Sequence, residues 1–483
     1  MLLNLGEANY VKYKFSSFHV ARHCCVNSCR ADWMQTSCGI YPPTDDNVNI
    51  GKPCENLTDR TGPAYLTLYC VTGFDQFAVS AARNITEFAK QQFVWYFADD
   101  PGTIFSSFSF RSVRAEFAHS VGLSGKGETI AIVDNGFYVN HPELADKNII
   151  QYGLLQTLDD HGTSVAVIAA GTNDDIGIMG IAYGADLHLT SFSNGLSVIA
   201  DATDDALAAG AIAQNNSWGY PDTDINNILG RLEGVSAETA FSDEIGVSLA
   251  ASTSYLDALG RFTQSGIVVF SNSNDFTATH LGIMEALPLA FPQLEAGWIT
   301  ALNGVPTFDS DGDIISVERL SAECFDMAQS CLMAESVVYG TSGPNSYGAP
   351  LIGTSFSAPI ISGGIAILAE AFPSLAGPEI RNRLFVTADN SFFEPNDFRI
   401  FTADISHGYS SEYGHGFMNL EAALLPIGDI GVPIGLSVED VITSVQNSSI
   451  ATGFAQGDAI VTALRNIDVM LLDSLGGNFT TPA

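Results

Sequence analysis

Three short segments carry the residue types that nucleophilic catalysis needs. Asp134 ends a β-branched run, His161 opens an apolar helical stretch, and Ser355 stands at the start of another. A carboxylate can hold an imidazole in one tautomer, and that imidazole can take the proton of an attacking serine hydroxyl. Taken singly, each segment also has an ordinary structural explanation, as a turn, a helix-start histidine or a Ser N-cap. Together, in this chain order, they indicate a catalytic triad.

The elements that must position these residues alternate in type from Ser112 to about Ile427. Short apolar runs such as 129–133 and 266–270 are typical of buried parallel strands. Between them lie Ala-rich, helix-favouring stretches such as 202–213. This alternation predicts an α/β fold in three layers, a mostly parallel sheet with helices on both faces. In such sheets, functional groups gather where strands end and helices begin.

The order Asp134, His161, Ser355 and the segment Gly353-Thr354-Ser355-Phe356-Ser357-Ala358-Pro359 resemble the subtilisin-like serine peptidases, or subtilases. The stretch 161–182 follows the family pattern without a gap, and the resemblance covers about residues 112–427. It implies a subtilisin-like fold and a serine endopeptidase that cleaves polypeptides through an acyl-enzyme on Ser355. His161 would be the general base, and Asp134 would orient its imidazole.

The resemblance also implies substrate-binding residues. Ser217, Trp218 and Gly219 match the edge strand that pairs with the substrate backbone, where Gly219 leaves room for the side chain before the scissile bond. The oxyanion donor is expected to be the amide of Asn274. Asn272 competes for this role, because the chain departs here from the family's usual Ala-Gly-Asn.

Two other positions depart from the family pattern. Asn135 stands where Ser or Thr usually follows the aspartate, and we expect its amide to donate to that carboxylate. Ser164 stands where a second histidine is common. These departures leave open a second interpretation, a catalytically weak or inactive subtilase fold that serves as a surface binding or adhesion module.

Two acidic segments, 141–144 and 173–178, resemble the pair that builds a structural calcium site in many subtilases. Glu143 and Asp174 take the side-chain positions of that site, within an all-oxygen shell typical of the ion. The alternative is a pair of solvated acidic loops, which a chain of net charge −35 offers in number. No cofactor is expected to be required for catalysis itself.

Several features resemble a narrower branch, the subtilases of bacterial autotransporters. They are the segments 287–298 and 413–420, the pair Cys324 and Cys331, and the tail after residue 427. That pair is expected to form a disulfide. The other cysteines are also even in number and compatible with disulfides in an oxidising compartment, although His23 beside Cys24, Cys25 and Cys29 leaves a metal site as the alternative. These other cysteines are Cys24, Cys25, Cys29, Cys38, Cys54 and Cys70.

Composition excludes other classes of function. Of 483 residues, 46% are hydrophobic and 15% are charged, so the chain can bury a large core. The net charge of −35 repels phosphate backbones and excludes nucleic acid as an expected partner. No run of 18 apolar residues is present, so no membrane span is expected.

Three regions are predicted: a Cys-rich N-terminal region of unknown role at 1–111, a peptidase domain at 112–427, and an extension at 428–483. The first region is a candidate propeptide inhibitor. The acidic composition fits an extracellular or cell-surface protein, although the first residues lack the basic start and apolar stretch of a secretory signal.

Overall fold

The computed structural model describes residues 66–97, 100–153, 159–433, 442–444 and 468–482. The strands are β1 (Leu66–Thr67), β2 (Gln92–Phe97), β3 (Asp100–Phe108), β4 (Thr129–Asp134), β5 (Ile149–Tyr152), β6 (Asp186–Ser191), β7 (Ala211–Asn216), β8 (Ile267–Ser271), β9 (Trp298–Leu302), β10 (Gly304–Phe308), β11 (Ile314–Arg319), β12 (Cys331–Met333), β13 (Val337–Thr341), β14 (Tyr347–Ile352), β15 (Asp397–Ile400), β16 (Ser406–Tyr409), β17 (Gly431–Pro433), β18 (Ile442–Ser444), β19 (Asp468–Leu472) and β20 (Asn478–Pro482).

The helices are α1 (Leu68–Thr72), α2 (Gln76–Arg83), α3 (Thr86–Lys90), α4 (Ser109–Ser112), α5 (Ala115–Ser120), α6 (Asp160–Ala170), α7 (Leu196–Ala208), α8 (Asn226–Leu229), α9 (Ala237–Ile245), α10 (Leu249–Phe262), α11 (Leu287–Ala290), α12 (Thr354–Ala371), α13 (Gly377–Val386) and α14 (Leu420–Leu424).

A seven-stranded sheet forms the centre of the molecule, in the order β12-β9-β8-β7-β4-β6-β5. Every neighbouring pair in it is parallel. Side chains alternate along a strand, so β4 sends Ile130 and Ile132 into one core and Ala131 and Val133 into another. A parallel sheet buried on both faces is the predicted arrangement, and the α/β prediction is confirmed.

Helices α6 and α12 cover the face that contains Ile130, whereas α7 and α10 cover the opposite face. Helix α12 is 18 residues long and is buried on nearly all sides, which explains its uniformly apolar sequence. By length and composition α12 could cross a membrane, but 89% of it lies inside the molecule, as expected of a core helix.

Strands from both ends of the described chain share a second sheet, in the order β1-β20-β19-β17-β18. Leu66 of β1 lies opposite Phe479 of β20 in a parallel pair. Asp473, which follows β19, forms an ion pair of 2.6 Å with Arg383 of α13, and both side chains are fully buried. The C-terminal strands are therefore anchored on helix α13.

The described part of the N-terminal region packs into the same core as α12, through Leu66, Phe88 and Phe110. Its hydrogen bonds reach residues such as Glu116, Gly177 and Tyr339, none of which belongs to the predicted triad. The boundaries at 111 and 427 and the propeptide role stay predictions. Residues 1–65, which hold five of the N-terminal cysteines and His23, lie outside the described residues.

Candidate active site

The predicted site residues follow three neighbouring strands of the central sheet. Asp134 is the last residue of β4, the segment 217–219 follows β7, and the segment 272–274 follows β8. Because β4, β7 and β8 are parallel neighbours, their carboxyl ends meet at one edge of the sheet. His161 and Ser355 lie in the first turns of α6 and α12, the two helices of the first core. The structure thus gathers the five predicted segments at one edge.

Asp134 and His161 are in direct contact. The Nδ1 atom of His161 lies 2.9 Å from Oδ1 of Asp134, and because a carboxylate oxygen accepts, Nδ1 carries the hydrogen. The Asp134 side chain is fully buried, whereas 21% of the His161 side chain is exposed. The backbone N–H of Asn135 donates to the same Oδ1 at 2.8 Å. Oδ2 of Asp134 is buried without a hydrogen-bond partner among the described residues.

Gly162 explains how strand β4 and helix α6 come so close. A Cβ atom at this position would lie 2.2 Å from the carbonyl oxygen of Gly136 and 3.1 Å from Cβ of Asp134. Any larger residue would push the histidine helix away from the aspartate strand. The glycine beside His161 is therefore required for the contact between the base and the carboxylate.

The environment of His161 changes its acidity in two opposing ways. Burial lowers the pKa of the imidazole, but the charge of Asp134 and its hydrogen bond raise it, and the charge of Asp159 adds to the increase. The net pKa is above the ordinary value of 6.5. The imidazolium that forms during proton transfer is thus stabilised by two neighbouring carboxylates.

Ser355 is the second residue of α12. The hydroxyl of Ser217 donates to the carbonyl oxygen of Ser355 at 2.7 Å and so holds its backbone. Gly353 precedes the helix with a φ of 152°. The ring of Phe356, the next residue, lies 5.6 Å from the His161 ring between centroids. Ser355 is half-buried, and its own hydroxyl forms no hydrogen bond among the described residues. Catalytic contacts of this kind are commonly long in unliganded enzymes and shorten when substrate binds.

The two candidate oxyanion donors differ sharply in their contacts. The amide nitrogen of Asn272 donates to the carbonyl oxygens of Ala322 and Glu323, each at 3.0 Å, inside the protein. Asn274 is exposed, and its Oδ1 accepts from the backbone N–H and the hydroxyl of Thr354 at 2.8 and 3.0 Å. Because an N–H must donate to oxygen, this contact also fixes which amide atom is which. Among the described residues, the Asn274 amide nitrogen has no hydrogen-bond partner, and it lies beside the start of α12.

The segment 217–219 follows β7 and lies at the same edge of the central sheet as Asp134. Trp218 is buried against Phe270 and Phe192, with ring centroids 5.6 and 5.7 Å away. Gly219 is exposed, and a Cβ atom there would meet nothing within 4 Å. The space beside Gly219 is therefore open, and its role in binding substrate stays a prediction.

Three carboxylates converge at a second site. One oxygen from each of Glu87, Glu143 and Asp174 lies within 4.8 Å of the others. Oε1 of Glu87 and Oε2 of Glu143 are buried without hydrogen-bond partners among the described residues. Burial raises the pKa of Glu143 to about 7, and the charges of Glu87 and Asp174 contribute to the increase. The predicted pair is thus joined by a third residue, Glu87 of helix α3.

Two expectations about individual residues were wrong. Cys324 and Cys331 are free, buried thiols rather than a disulfide. Burial raises the pKa of the Cys324 thiol, and the neighbouring Cys331 thiol contributes to the increase. The amide of Asn135 donates to Oδ2 of Asp159 at 2.7 Å instead of to Asp134, because helix α6 packs closely against the end of β4 and brings the Asp159 carboxylate within reach.

Other residues near the motifs have structural roles. Ser164 hydrogen-bonds Thr341 of β13, with 2.7 Å between the hydroxyl oxygens, and so joins α6 to the strand pair that precedes Ser355. His415 is buried, stacks on Phe385 and contacts Nδ1 of His407 at 3.1 Å, in agreement with a structural role.

Sequence reasoning missed two residues that the structure brings to these sites. Asp159 caps the histidine helix, and the signal was the acidic pair before His161. Glu87 belongs to a region without a clear period, and nothing local marks it as a neighbour of Glu143.

The chain is similar in sequence to proteins of known function. A sequence model of the subtilase family matches residues 125–416. The extracellular serine protease of Serratia marcescens is 25% identical over an alignment of 334 residues that covers 57% of this chain and 31% of that protein. Subtilisin BL of Lederbergia lenta is 27% identical over an alignment of 317 residues that covers 64% of this chain and 96% of that protein. The crystal structure of fervidolysin from Fervidobacterium pennivorans is similar with a TM-score of 0.44 and 21% identity, over 67% of this chain and 46% of that one.

The match to the family model spans more than half of the chain, and the chain belongs to the subtilase family. Its class is that of the subtilisin-like serine endopeptidases, enzymes that act on polypeptides. The chain spans about a third of the length of the Serratia relative.

Proposed function

We propose that the chain hydrolyses peptide bonds through an acyl-enzyme on Ser355, with His161 as general base and Asp134 as the residue that orients it. The observation that carries the proposal is the hydrogen bond of 2.9 Å between Asp134 and His161, at the sheet edge where Ser355 opens α12. Among the described residues, these three side chains supply the acid, base and hydroxyl of the family motif.

The chemistry follows from the hydrogen-bond directions. With its Nδ1 hydrogen on Asp134, His161 presents an unprotonated Nε2 that takes the Ser355 proton as Oγ attacks the carbonyl carbon. The same nitrogen then donates this proton to the leaving amine, and a water molecule repeats the sequence to release the acid product. The buried Asp134 carboxylate stabilises the imidazolium that exists between these two transfers.

The proposed oxyanion donors are the backbone N–H of Ser355 and the side-chain amide of Asn274. Both belong near the start of α12, where unpaired N–H groups and the positive helix end favour negative charge. The proposed acyl-side residues of the substrate lie along Ser217, Trp218 and Gly219. The open space at Gly219 would receive the side chain before the scissile bond.

Labelling with an active-site phosphonate followed by mass spectrometry tests this function. We expect the label on Ser355 of the wild type and none on Ser355→Ala, with Ser357→Ala as the control because that hydroxyl donates to the carbonyl oxygen of Ala334. Turnover of a peptide substrate should fall by about 10⁶ in Ser355→Ala. A folded wild-type protein that neither takes the label nor cleaves peptides would instead support the binding-module interpretation.

We also propose that Glu87, Glu143 and Asp174 hold a structural calcium ion. In the described residues, one buried carboxylate oxygen of Glu87 and one of Glu143 have no hydrogen-bond partner, which fits a hard cation with oxygen ligands. Lys90 lies beside Glu87, but its ammonium group donates to the carbonyl of Gly177. When bound, the ion would neutralise the cluster and join α3 to the loop after α6. Catalysis would not use it.

A thermal melt tests the calcium site. Binding to the folded state alone raises the Tm with ligand concentration, so we expect a higher Tm in calcium than in chelator. Glu143→Gln should abolish this difference, whereas the exposed Glu233→Gln should retain it. Identical melting curves of the metal-free and calcium-loaded wild type would contradict the site.

We infer that the chain works outside the cytoplasm and lies near the autotransporter branch of the family. Cys70 is disulfide-bonded, which supports an oxidising compartment, and the segments 287–298 and 413–420 support the branch. Fractionation of the producing cells tests the location. Recovery of the protein only from the cytoplasm, with Cys70 reduced, would contradict it.

A further inference from the structure

We infer that Asp159 and Asn135 are positioning residues for the catalytic pair: they join the strand of Asp134 to the helix of His161 and set a second carboxylate beside the imidazole. This inference rests on the proposed function, because it assigns a purpose to residues around the proposed base.

Asp159 is the N-cap of α6, and both of its carboxylate oxygens are engaged. Oδ1 accepts from the backbone N–H of His161 at 2.7 Å, and Oδ2 accepts from the side-chain amide of Asn135 at 2.7 Å. Its carbonyl oxygen accepts from the hydroxyl of Thr163 at 2.7 Å. A plain N-cap needs only the first of these contacts. The second one connects the helix to the neighbouring strand end.

Asn135 follows Asp134 and points two donors in different directions. Its backbone N–H donates to Oδ1 of Asp134 at 2.8 Å, while its side-chain amide donates to Asp159. Its carbonyl oxygen accepts from the hydroxyl of Ser191 at the end of β6. Asn135 is thus fixed by three contacts, and a Ser or Thr side chain at this position is too short to offer the same forked amide.

The contacts close a ring of four residues. The chain links Asp134 to Asn135, the amide links Asn135 to Asp159, and the cap links Asp159 to the backbone of His161. The imidazole of His161 then returns to Asp134 at 2.9 Å. A ring of this kind restrains the rotation of the imidazole without touching the substrate. Restraint matters because small misplacements of a catalytic group cost large factors in rate.

The charge of Asp159 adds an electrostatic effect. The charged groups that face His161 are Asp134 from β4 and Asp159 from the start of its own helix. The adjacent Asp160 is partly buried, which together with the charge of Asp159 raises its own pKa, and His141 faces it. Helix α12 presents Ser355 and the uncharged ring of Phe356, and β13 contacts α6 through the hydroxyls of Thr341 and Ser164. Removing Asp159 therefore removes one of two carboxylates that favour the imidazolium.

The pH dependence of kcat/KM tests the inference with Asp159→Asn, which keeps an acceptor for the cap and loses the charge. Neutral His161 is the active form, so the acid limb of the profile reports its pKa. We expect this limb to move to lower pH by roughly half a unit to one unit. Asp159→Glu should restore the wild-type position, and Asp201→Asn, on the exposed side of α7, should leave it unchanged.

Asn135→Ala tests the restraint separately. We expect kcat to fall about tenfold with KM nearly unchanged, because a looser imidazole weakens the transition state more than substrate binding. In the double variant Asn135→Ala with Asp159→Asn, the losses in kcat should be less than multiplicative, since both changes open the same ring. Should Asp159→Asn fold poorly, Asp159→Ser keeps a capping hydroxyl and should show the same displaced acid limb.

The outcomes separate this inference from the proposed function. Phosphonate labelling at Ser355 combined with an unmoved acid limb in both Asp159→Asn and Asp159→Ser would overturn the inference and leave the peptidase intact. Fully multiplicative losses in the double variant would overturn the ring. Absence of labelling in the wild type would overturn the function itself.

Discussion

Asn274 has its two amide atoms in different environments, and this difference decides what the side chain can do. The oxygen is held by Thr354 at the start of α12, and the nitrogen has no hydrogen-bond partner in the part of the chain that the structure describes. Asn272, two residues earlier, spends its nitrogen on two backbone carbonyls. Only Asn274 can therefore donate to a charge that develops beside Ser355 without breaking a buried contact.

We expect Asn274→Ala to lower kcat by about 10² to 10³ with KM nearly unchanged, because the lost hydrogen bond forms only in the transition state. Steady-state kinetics on a peptide substrate measures both constants. Asn272→Ala should change kcat by less than about tenfold and lower the Tm instead, since two buried carbonyl oxygens lose their donor. A large kcat loss in Asn272→Ala alone would show that the donor had been assigned to the wrong asparagine.

The hairpin of β2 and β3 is the element that supports the strand pair before the nucleophile. Trp95 and Phe105 stack with ring centroids 4.6 Å apart and pack against Val337 and Ile352, the latter three residues before Ser355. The backbone N–H of Phe108 donates to the buried carboxyl of Glu335 at 3.0 Å. Burial raises the pKa of Glu335 to about 8. The hairpin is thus attached through a carboxyl that is neutral at pH 7.

This attachment should depend on pH. The carboxyl of Glu335 keeps its proton in the folded state up to a pH of about 8, whereas the unfolded chain loses it near the ordinary value of 4.5. Unfolding therefore releases a proton between these values, and the free energy of unfolding falls as the pH rises through that window. Glu335→Gln, which stays neutral, should become more stable relative to the wild type with rising pH, by an amount on the order of a few kcal/mol at pH 8.

Urea unfolding at pH 5, 6.5 and 8 measures the effect, with the exposed Glu233→Gln as the control. A difference between Glu335→Gln and the wild type that stays constant across the three pH values would contradict a neutral Glu335.

At the scale of the whole molecule, the two ends of the described chain meet in one sheet that is fastened to the peptidase core. Arg383 is fully buried, lies over the ring of Phe372 at 4.2 Å, and donates to the carbonyl oxygens of Ala423 and Leu425 as well as to Asp473. Asp473 in turn accepts the backbone N–H groups of Ile427 and Gly477. The ion pair of Arg383 and Asp473 thus joins α13 to the chain just before β17 and to the turn between β19 and β20.

Asp473→Asn should lower the free energy of unfolding by about 3–5 kcal/mol, because it leaves the Arg383 charge buried without its counter-charge. Urea denaturation measures this loss. The matched control is Asp429→Asn, an exposed aspartate that also lies after residue 427. Equal loss in both variants would mean that the ion pair does not fasten the C-terminal strands.

Local pattern in the sequence was sufficient for the features that depend on neighbouring residues. Buried strands reveal themselves as short apolar runs, so the parallel sheet was predictable. The segments of Asp134, His161 and Ser355 carry their signal in adjacent residues, as Gly162 shows by the close contact that excludes a side chain. The acidic segments that contain Glu143 and Asp174 are likewise visible in adjacent residues.

The tertiary structure decided which groups meet across long stretches of chain. The free amide of Asn274 depends on a contact 80 residues away, and the joining of Glu87 to the acidic cluster depends on where α3 packs. The amide of Asn135 goes to Asp159, 24 residues along the chain, because the packing of α6 against the end of β4 brings that carboxylate within reach. Hydrogen-bonding groups can be identified from sequence, but their partners are chosen by competition in the folded molecule, where each donor goes to the acceptor that packing leaves within reach.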